Sequence, residues 1–84
     1  MIGSIVVDRV EDGHFVLIVT YANGVTGELR VKENAEERYD RETLNYIFTM
    51  VFGRHNIDSL PAVAKEELLL TIEKAILHYQ KHTA

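Results

Sequence analysis

The sequence predicts a two-layer α+β domain, in which a three-stranded antiparallel β-meander of order 1-2-3 is covered on one face by two antiparallel α-helices. Three observations predict it. The N-terminal part contains three apolar, β-branched segments separated by Asp-Gly and Asn-Gly turns. The remainder contains two segments whose apolar residues recur at helical spacing. With 84 residues and no Cys, the chain is expected to form a single domain, residues 1–84, without disulfides.

The segment His14–Tyr21, HFVLIVTY, is the longest apolar run and predicts the central strand. We expect the flanking strands at about residues 2–10 and 25–32. The sequences Glu11-Asp12-Gly13 and Ala22-Asn23-Gly24 predict three-residue turns in which the glycine is left-handed. Two-residue Asp-Gly and Asn-Gly turns are the alternative.

The alternating pattern of the third strand decides between these turn lengths. With three-residue turns Leu17 lies opposite Leu29, whereas a two-residue second turn would place Leu17 beside Arg30. We therefore predict three-residue turns at both positions. The predicted buried face then contains Ile5, Val7, Phe15, Leu17, Val19, Tyr21, Val25, Leu29 and Val31.

The same register leaves an apolar group on the outer face of the sheet. An antiparallel sheet usually has one solvated face, so aliphatic residues there indicate a partner, a second copy of the chain or a covering segment. The predicted group contains Val6, Val10, Val16 and Ile18, with Ile2 as an optional member.

Two amphipathic segments predict the helices, at about residues 40–53 and 60–80. Asp40 is the predicted N-cap of the first helix, and Gly53 is its left-handed stop. Pro61 is predicted in the first turn of the second helix, whose last residues are expected to fray. The stripes predicted to face the sheet are Leu44, Ile47, Phe48, Val51 and Phe52, and Leu68, Leu69, Ile72, Ala75, Ile76 and Tyr79.

The last helix carries a second apolar stripe. Val63, Leu70 and Leu77 recur every seven residues and lie roughly opposite the main stripe on a helical wheel. A helix on a sheet buries one broad face, so this stripe is either a set of ordinary exposed residues or an interface. Tyr46 and Met50 lie off the main stripe of the first helix in the same way. Three residues are too few to define a coiled coil.

The net charge is −4, and the scattered Lys and Arg residues disfavour direct binding of nucleic acid. An acidic stretch before the first helix predicts a solvated connector or, alternatively, a patch that recognises a basic partner or mimics DNA. The N-terminus lacks signal-peptide features and no run approaches the ~20 apolar residues of a membrane helix, so we expect a cytoplasmic protein. The acidic stretch contains Glu33, Glu36, Glu37, Asp40 and Glu42, interrupted by Arg38 and Arg41.

No arrangement of residues predicts catalysis, and we expect neither a cofactor nor a metal. His78 and His82 have the spacing at which two imidazoles share a metal, but a zinc site needs further ligands. Exposed histidines near a helix C-terminus are therefore expected. His14 lies beside a predicted turn, and Arg54 and His55 lie in the loop between the helices.

These observations predict a non-enzymatic protein-binding module, a homodimer that acts by occupying the surface of a partner protein. Size, acidity and predicted layout resemble those of small inhibitors encoded by phages and mobile elements, including some anti-CRISPR proteins, without any family-specific motif. The alternatives are a ligand-binding domain or enzyme with a site at a dimer interface, starting from His14, Arg54 and His55, or a structural subunit of a larger assembly. The predicted interface residues are Val63, Leu70, Leu77, Tyr46, Met50, Val6, Val16, Ile18, Glu36, Glu37 and Asp40.

Overall fold

The computed structural model describes residues 2–53 and 57–83, and its elements follow the order βββαα. The three strands are antiparallel, in the order β1-β2-β3, which confirms the predicted fold class. A short 3₁₀ helix precedes the last helix. The elements are β1 at Ile2–Glu11, β2 at His14–Tyr21, β3 at Thr26–Lys32, α1 at Arg41–Phe52, the 3₁₀ helix at Ile57–Ser59 and α2 at Ala62–Thr83.

The hydrophobic core lies between one face of the sheet and the two helices. α2 packs against β1, and α1 packs against β3. Both predicted helix stripes are buried or half-buried, as are the predicted inner residues of β1 and β2. The core contains Ile5, Phe15, Leu17, Val19, Leu29, Val31, Ile47, Phe48, Leu68, Ile72 and Ile76.

The turn between β1 and β2 is shorter than predicted. Glu11 pairs with His14, so the turn consists of Asp12 and Gly13 alone, with φ angles of 51° and 73°. Positive φ at both central residues is the requirement of a type I′ turn, whose twist matches that of the flanking strands. The prediction of a three-residue turn was wrong here, because a two-residue type I′ turn already matches the twist of the two strands.

A β-bulge in β1 compensates for the shorter turn. The pairing shifts by one residue between Val7 and Arg9, so Val7 still lies opposite Leu17, as predicted. The extra residue that the prediction assigned to the turn is therefore located at Asp8, inside the strand. This shift keeps the inner face of β1 apolar despite the change of turn.

The bulged register moves two residues from the predicted outer face to the helix side. Val10 lies opposite Phe15, and a second shift between Ile2 and Ser4 places Ile2 opposite Tyr21. Phe15 belongs to the core, and Ile2 and Tyr21 pack against it. The assignment of Val10 and Ile2 to the outer apolar group was therefore wrong.

The turn between β2 and β3 has the predicted three residues. Tyr21 O accepts a hydrogen bond from Gly24 N at 2.9 Å, and Tyr21 N donates to Val25 O at 2.8 Å. Gly24 has a φ of 87°, as the left-handed position of this turn requires. β3 begins at Thr26, and Val25, predicted to be buried, is 57% exposed beside the turn because it lies beyond the last paired residues of the strand.

α1 begins after the predicted cap and ends at the predicted glycine, but Gly53, with a ψ of −156°, is not in the left-handed helical conformation that was predicted. Asp40 Oδ1 accepts a hydrogen bond from Thr43 N at 2.8 Å, which satisfies one free donor of the first turn. Gly53, with a φ of 79°, ends the helix, and its N–H donates to Thr49 O at 2.9 Å.

α2 starts and ends slightly later than predicted. The carbonyl of Pro61 accepts a hydrogen bond from Lys65 N at 3.2 Å, so helical residues begin at Ala62. The helix continues to Thr83, whose hydroxyl donates to Tyr79 O at 2.6 Å. Lys81 in its last turn also favours this extension, because cations stabilise the negative end of the helix dipole.

Candidate interaction surfaces

The outward face of α2 presents three aliphatic side chains in a row. Val63, Leu70 and Leu77 are 65%, 60% and 54% exposed. The opposite side of the helix contributes Leu68 and Ile72 to the core, so these three residues point away from the sheet. We call Val63, Leu70 and Leu77 the outer stripe. Its predicted role as an interface stays a prediction.

A charged network covers part of the outer face of the sheet. Arg9 and Arg30 are the cross-strand neighbours of Val16 on its two sides. Glu11 joins them, because its Oε2 accepts from Arg9 Nε at 2.7 Å and its Oε1 accepts from Arg30 Nη2 at 3.0 Å. Arg9 Nη2 also reaches Glu28 Oε1 at 3.5 Å. Hydrogen bonds from the two arginines lower the pKa of the Glu11 carboxyl.

Val16 is fully buried although it lies on the outer face. It alternates with Phe15 and Leu17, which belong to the core, and it is itself outside that core cluster. Its cross-strand neighbours on this face are the two arginines, whose charged ends bind Glu11, and cover by their aliphatic stems accounts for its burial. The prediction that Val16 belongs to an exposed apolar group was therefore wrong.

The apolar area that remains on the outer face is small. Val6 is 54% exposed, and its cross-strand neighbour Ile18 is half-buried. Glu28 lies on the other side of Ile18. The outer face therefore presents a two-residue apolar spot beside the charged network.

Residues 33–40 form the connector between β3 and α1. Side chains from the connector and from α1 cover part of the free edge of β3. Arg30 N donates to Tyr46 Oη at 3.2 Å, and Arg38 Nε donates to Lys32 O at 2.9 Å. These contacts occupy backbone groups that an edge strand would otherwise offer to another chain. Tyr46, 38% exposed, thus has its hydroxyl engaged with the sheet, whereas the Met50 side chain is 47% exposed on the same helix.

Arg38 is buried, which the sequence analysis did not predict. It is 5% exposed, and its Nη1 lies 2.9 Å from Glu73 Oε1. Its Nη2 donates to Glu33 O, and Nε donates to Lys32 O. The guanidinium carbon lies 5.2 Å from the centroid of the Phe15 ring, within the range of a cation–π contact. A single Arg within an acidic stretch gives no sequence signal for such burial.

The burial of Arg38 makes the exposed connector more acidic than the sequence suggests. Its positive charge is directed inward to Glu73, while Glu36 and Glu37 remain exposed. Asp40 is also exposed, but it caps α1 and its Oδ2 lies 3.3 Å from Lys32 Nζ. The Thr43 amide lowers the pKa of the Asp40 carboxyl, and Lys32 adds to this effect. Among the predicted interface residues, Glu36 and Glu37 are therefore the acidic ones whose side chains show no cap or ion pair within residues 2–53 and 57–83.

Tyr39 lies next to this ion pair. Its hydroxyl is buried and has no hydrogen-bond partner in the described part of the chain. Burial raises the pKa of the Tyr39 hydroxyl, and the neighbouring charge of Glu73 raises it further. The ring packs at the margin of the core, so the side chain serves packing at the cost of an unpaired polar atom.

The histidines form no metal site among the described residues, where no group of three or more His, Cys, Asp or Glu could hold a metal ion. The rings of His78 and His82 lie 4.3 Å apart and both residues are exposed. His14 Nδ1 lies 2.8 Å from a carbonyl oxygen of the first turn. Arg54 and His55, candidates for a site at a dimer interface, lie outside the described residues.

Two open clefts run between β1 and α2, with volumes of about 440 and 510 Å³. The polar side chains of the first are Ser4, Tyr21, Glu67 and Thr71. The second is lined by Lys74 and the two C-terminal histidines beside apolar residues of β1. These side chains show no arrangement of nucleophile, base and orienting group, so the clefts have no evident chemistry.

Comparisons with protein-family models, with curated proteins and with solved structures find no match to this chain. Within residues 2–53 and 57–83, no helix is long and apolar enough to cross a membrane.

Proposed function

We propose that this domain is a non-enzymatic protein-binding module that self-associates through the outer stripe of α2 and occupies the surface of a partner protein. The observation that carries the proposal is the exposure of Val63, Leu70 and Leu77, which all lie on one side of one helix. Aligned aliphatic side chains that are more than half exposed lose contact with water when a second surface covers them. As part of the same proposal we place the protein in the cytoplasm, which its lack of Cys permits.

The other candidate surfaces support the choice of the outer stripe as the interface, because contacts within the chain already cover much of them. The charged network covers Val16, and Tyr46 and Arg38 cover backbone groups at the edge of β3. The free edge of β1 is interrupted by register shifts on both sides of its central residues. Among the predicted interfaces, the outer stripe thus offers the largest set of aligned apolar side chains.

The acidic connector supports the second half of the proposal, contact with a partner of opposite charge. Glu36 and Glu37 are exposed, and the nearby Arg38 is buried and paired. Charges at the rim of an interface raise the association rate and make it dependent on salt. An inhibitor of the kind encoded by phages and mobile elements is one form that such an acidic binding module takes.

The test of self-association is the mass in solution, measured by light scattering over a concentration series. We expect a wild-type dimer that the double change Leu70→Glu and Leu77→Glu converts to a folded monomer. Val6→Glu is the matched control, because Val6 is as exposed as Leu77, at 54%, but lies on the sheet. A dimer that survives the α2 changes and dissociates with Val6→Glu would contradict the proposed surface, and a wild-type monomer at all concentrations would contradict self-association.

The test of partner binding is a charge reversal of the connector. We expect Glu36→Lys with Glu37→Lys to slow association with a captured partner, with circular dichroism unchanged. The control is Glu28→Lys, which reverses an exposed charge on β3, outside both the connector and α2. A partner that binds the connector variant as fast as it binds wild type would contradict this role of the acidic residues.

A further inference from the structure

We propose that the occupant of the outer stripe is a second copy of this chain, bound antiparallel, with Leu70 of each copy at the two-fold axis. This inference rests on the proposed function and deepens it by naming the partner of α2 and its orientation. It is carried by the charged residues that border the stripe, which are complementary in one orientation only.

The apolar positions fit both directions of approach. In an antiparallel pair centred on Leu70, Val63 of one copy meets Leu77 of the other, because both lie seven residues from the centre. In a parallel pair each stripe residue meets its own equivalent. The stripe extends about 21 Å from Val63 to Leu77, at 1.5 Å per residue. Apolar contact alone therefore does not select a direction.

Each border of the stripe has a defined charge. At 100° per residue, Lys74 and Glu67 lie about 40° and 60° to one side of Leu70. Glu66 and Glu73 lie at the corresponding angles on the other side. Glu67, Lys74 and Glu66 are exposed, whereas Glu73 is half-buried and bonded to Arg38 of its own chain.

A two-fold axis that relates antiparallel helices places the same border of each helix face to face, so the border with Glu67 and Lys74 in one copy faces the same border of the other copy. Glu67 of each copy then lies level with Lys74 of the other, within about 1.5 Å along the helix axis, and the symmetry forms this pair twice. On the opposite border Glu66 approaches Glu73 of the other copy, whose charge is already balanced by Arg38. Opposite charges thus meet on the border with Glu67 and Lys74. On the other border the repulsion of Glu66 by Glu73 is reduced, because Arg38 balances the charge of Glu73.

A two-fold axis that relates parallel helices places different borders face to face, so the border with Glu67 and Lys74 faces the border with Glu66 and Glu73. The charges are then not complementary. Glu67 would lie level with Glu66 of the other copy, and both are exposed and unbalanced. Lys74 would approach Glu73, which is already engaged with Arg38. The two orientations therefore differ most at Glu67, which meets a cation in one and an anion in the other.

Cysteine cross-linking separates the orientations, and it is clean here because the chain has no Cys. We expect an oxidised mixture of Val63→Cys and Leu77→Cys chains to form a disulfide between the two variants. Val63→Cys alone should form none, because its two thiols would be about 21 Å apart in an antiparallel pair. Leu70→Cys should cross-link with itself and serves as the positive control for α2 as the interface.

Charge changes supply an independent measurement. In the antiparallel dimer Glu67→Lys and Lys74→Glu each replace two attractions by two repulsions, so each should raise the dissociation constant about tenfold. An equimolar mixture of the two variants should recover wild-type affinity as a heterodimer, because both pairs between positions 67 and 74 are then of opposite charge. Tighter self-association of Glu67→Lys would indicate the parallel dimer and overturn the inference.

The outcomes distinguish this inference from the proposed function. Disulfide formation by Val63→Cys alone overturns the antiparallel orientation but retains an α2 interface. A wild-type dimer in which Leu70→Cys does not cross-link overturns the inference and the α2 surface together. A wild-type monomer overturns self-association itself, and the outer stripe is then left for a different protein.

Discussion

Nη1 of Arg38 lies 2.9 Å from Oε1 of Glu73, a residue 35 positions later in the chain. This ion pair joins the connector to the middle of α2. The same guanidinium binds the carbonyls of Lys32 and Glu33 at the end of β3. The Arg38 side chain thus links β3, the connector and α2. Its removal would leave several polar groups without hydrogen-bond partners.

Replacement of Arg38 should therefore destabilise the fold strongly. We expect Arg38→Met to lower the free energy of unfolding by about 2 kcal/mol, below the range for a fully buried pair because Glu73 is partly solvated. Urea denaturation followed by circular dichroism measures this change. Arg41→Met is the control, since Arg41 is exposed, and it should cost less than about 0.5 kcal/mol. Equal losses in the two variants would contradict the role of Arg38.

The neighbouring Tyr39 makes the opposite prediction. Its hydroxyl is buried without a partner, so Tyr39→Phe should raise the free energy of unfolding by about 1 kcal/mol at neutral pH. Tyr21→Phe is the control and should destabilise, because the Tyr21 hydroxyl donates to Met50 O at 3.2 Å. A destabilising effect of Tyr39→Phe would contradict the absence of a hydrogen-bond partner for this hydroxyl.

Tyr39 also predicts a loss of stability in alkali. Its pKa is raised in the folded state, so the unfolded chain releases this proton first, near the usual tyrosine value of about 10. The stability that depends on the protonated hydroxyl is complete below that pH and falls as the pH rises toward the folded pKa. The stability gap between Tyr39→Phe and wild type should therefore widen above pH ~10. A gap that is constant with pH would show that Tyr39 does not titrate differently on unfolding.

Asp40 predicts a loss of stability in acid. Its pKa is lowered in the folded state by the Thr43 amide and by Lys32, so its contribution is present above the unfolded pKa and is lost as the pH falls through the folded value. Asp40→Asn retains a capping oxygen but cannot ionise. We expect wild type to exceed Asp40→Asn in thermal stability at neutral pH and to converge with it in acid. Divergence as the pH falls would have the wrong sign and would contradict the assignment.

The position of Val16 predicts core-like behaviour on the outer face of the sheet. We expect Val16→Ala to lower the free energy of unfolding by about 2 kcal/mol, because it removes two buried methyl groups and leaves a cavity. Val6→Ala, on the same face but 54% exposed, should change it by less than about 0.5 kcal/mol. Comparable effects at the two positions, measured by urea denaturation, would mean that the arginines do not seal Val16.

The sequence was sufficient for the main elements because their signals are local. Asp40, Gly53 and the Asn-Gly turn act through their own backbone neighbours, and the helix stripes follow from periodicity. The first turn was less predictable because the Asp-Gly pair fits two turn lengths, and the bulge at Asp8 that reconciles the shorter turn with the register has no marker of its own.

The candidate surfaces were less predictable because they depend on contacts between distant residues. Nothing local in the sequence indicates that Arg38 pairs with Glu73, or that Arg9 and Arg30 meet over Val16. The exposure of the outer stripe was predictable, since it follows from helical geometry and from the burial of the opposite face. Periodicity therefore predicted the exposure of the outer stripe, whereas ion pairing buried part of the apolar group predicted on the sheet.

The covered edge of β3 has a consequence for how this protein can assemble. A strand that added there would have to displace the Tyr46 hydroxyl from Arg30 N and the Arg38 guanidinium from Lys32 O. Growth by strand addition, the route to amyloid, meets this barrier on one side of the sheet and the irregular ladder of β1 on the other. Exposed aliphatic residues on a helix face present no such ladder, so self-contact in the proposed antiparallel dimer would close at two copies instead of propagating into a fibre.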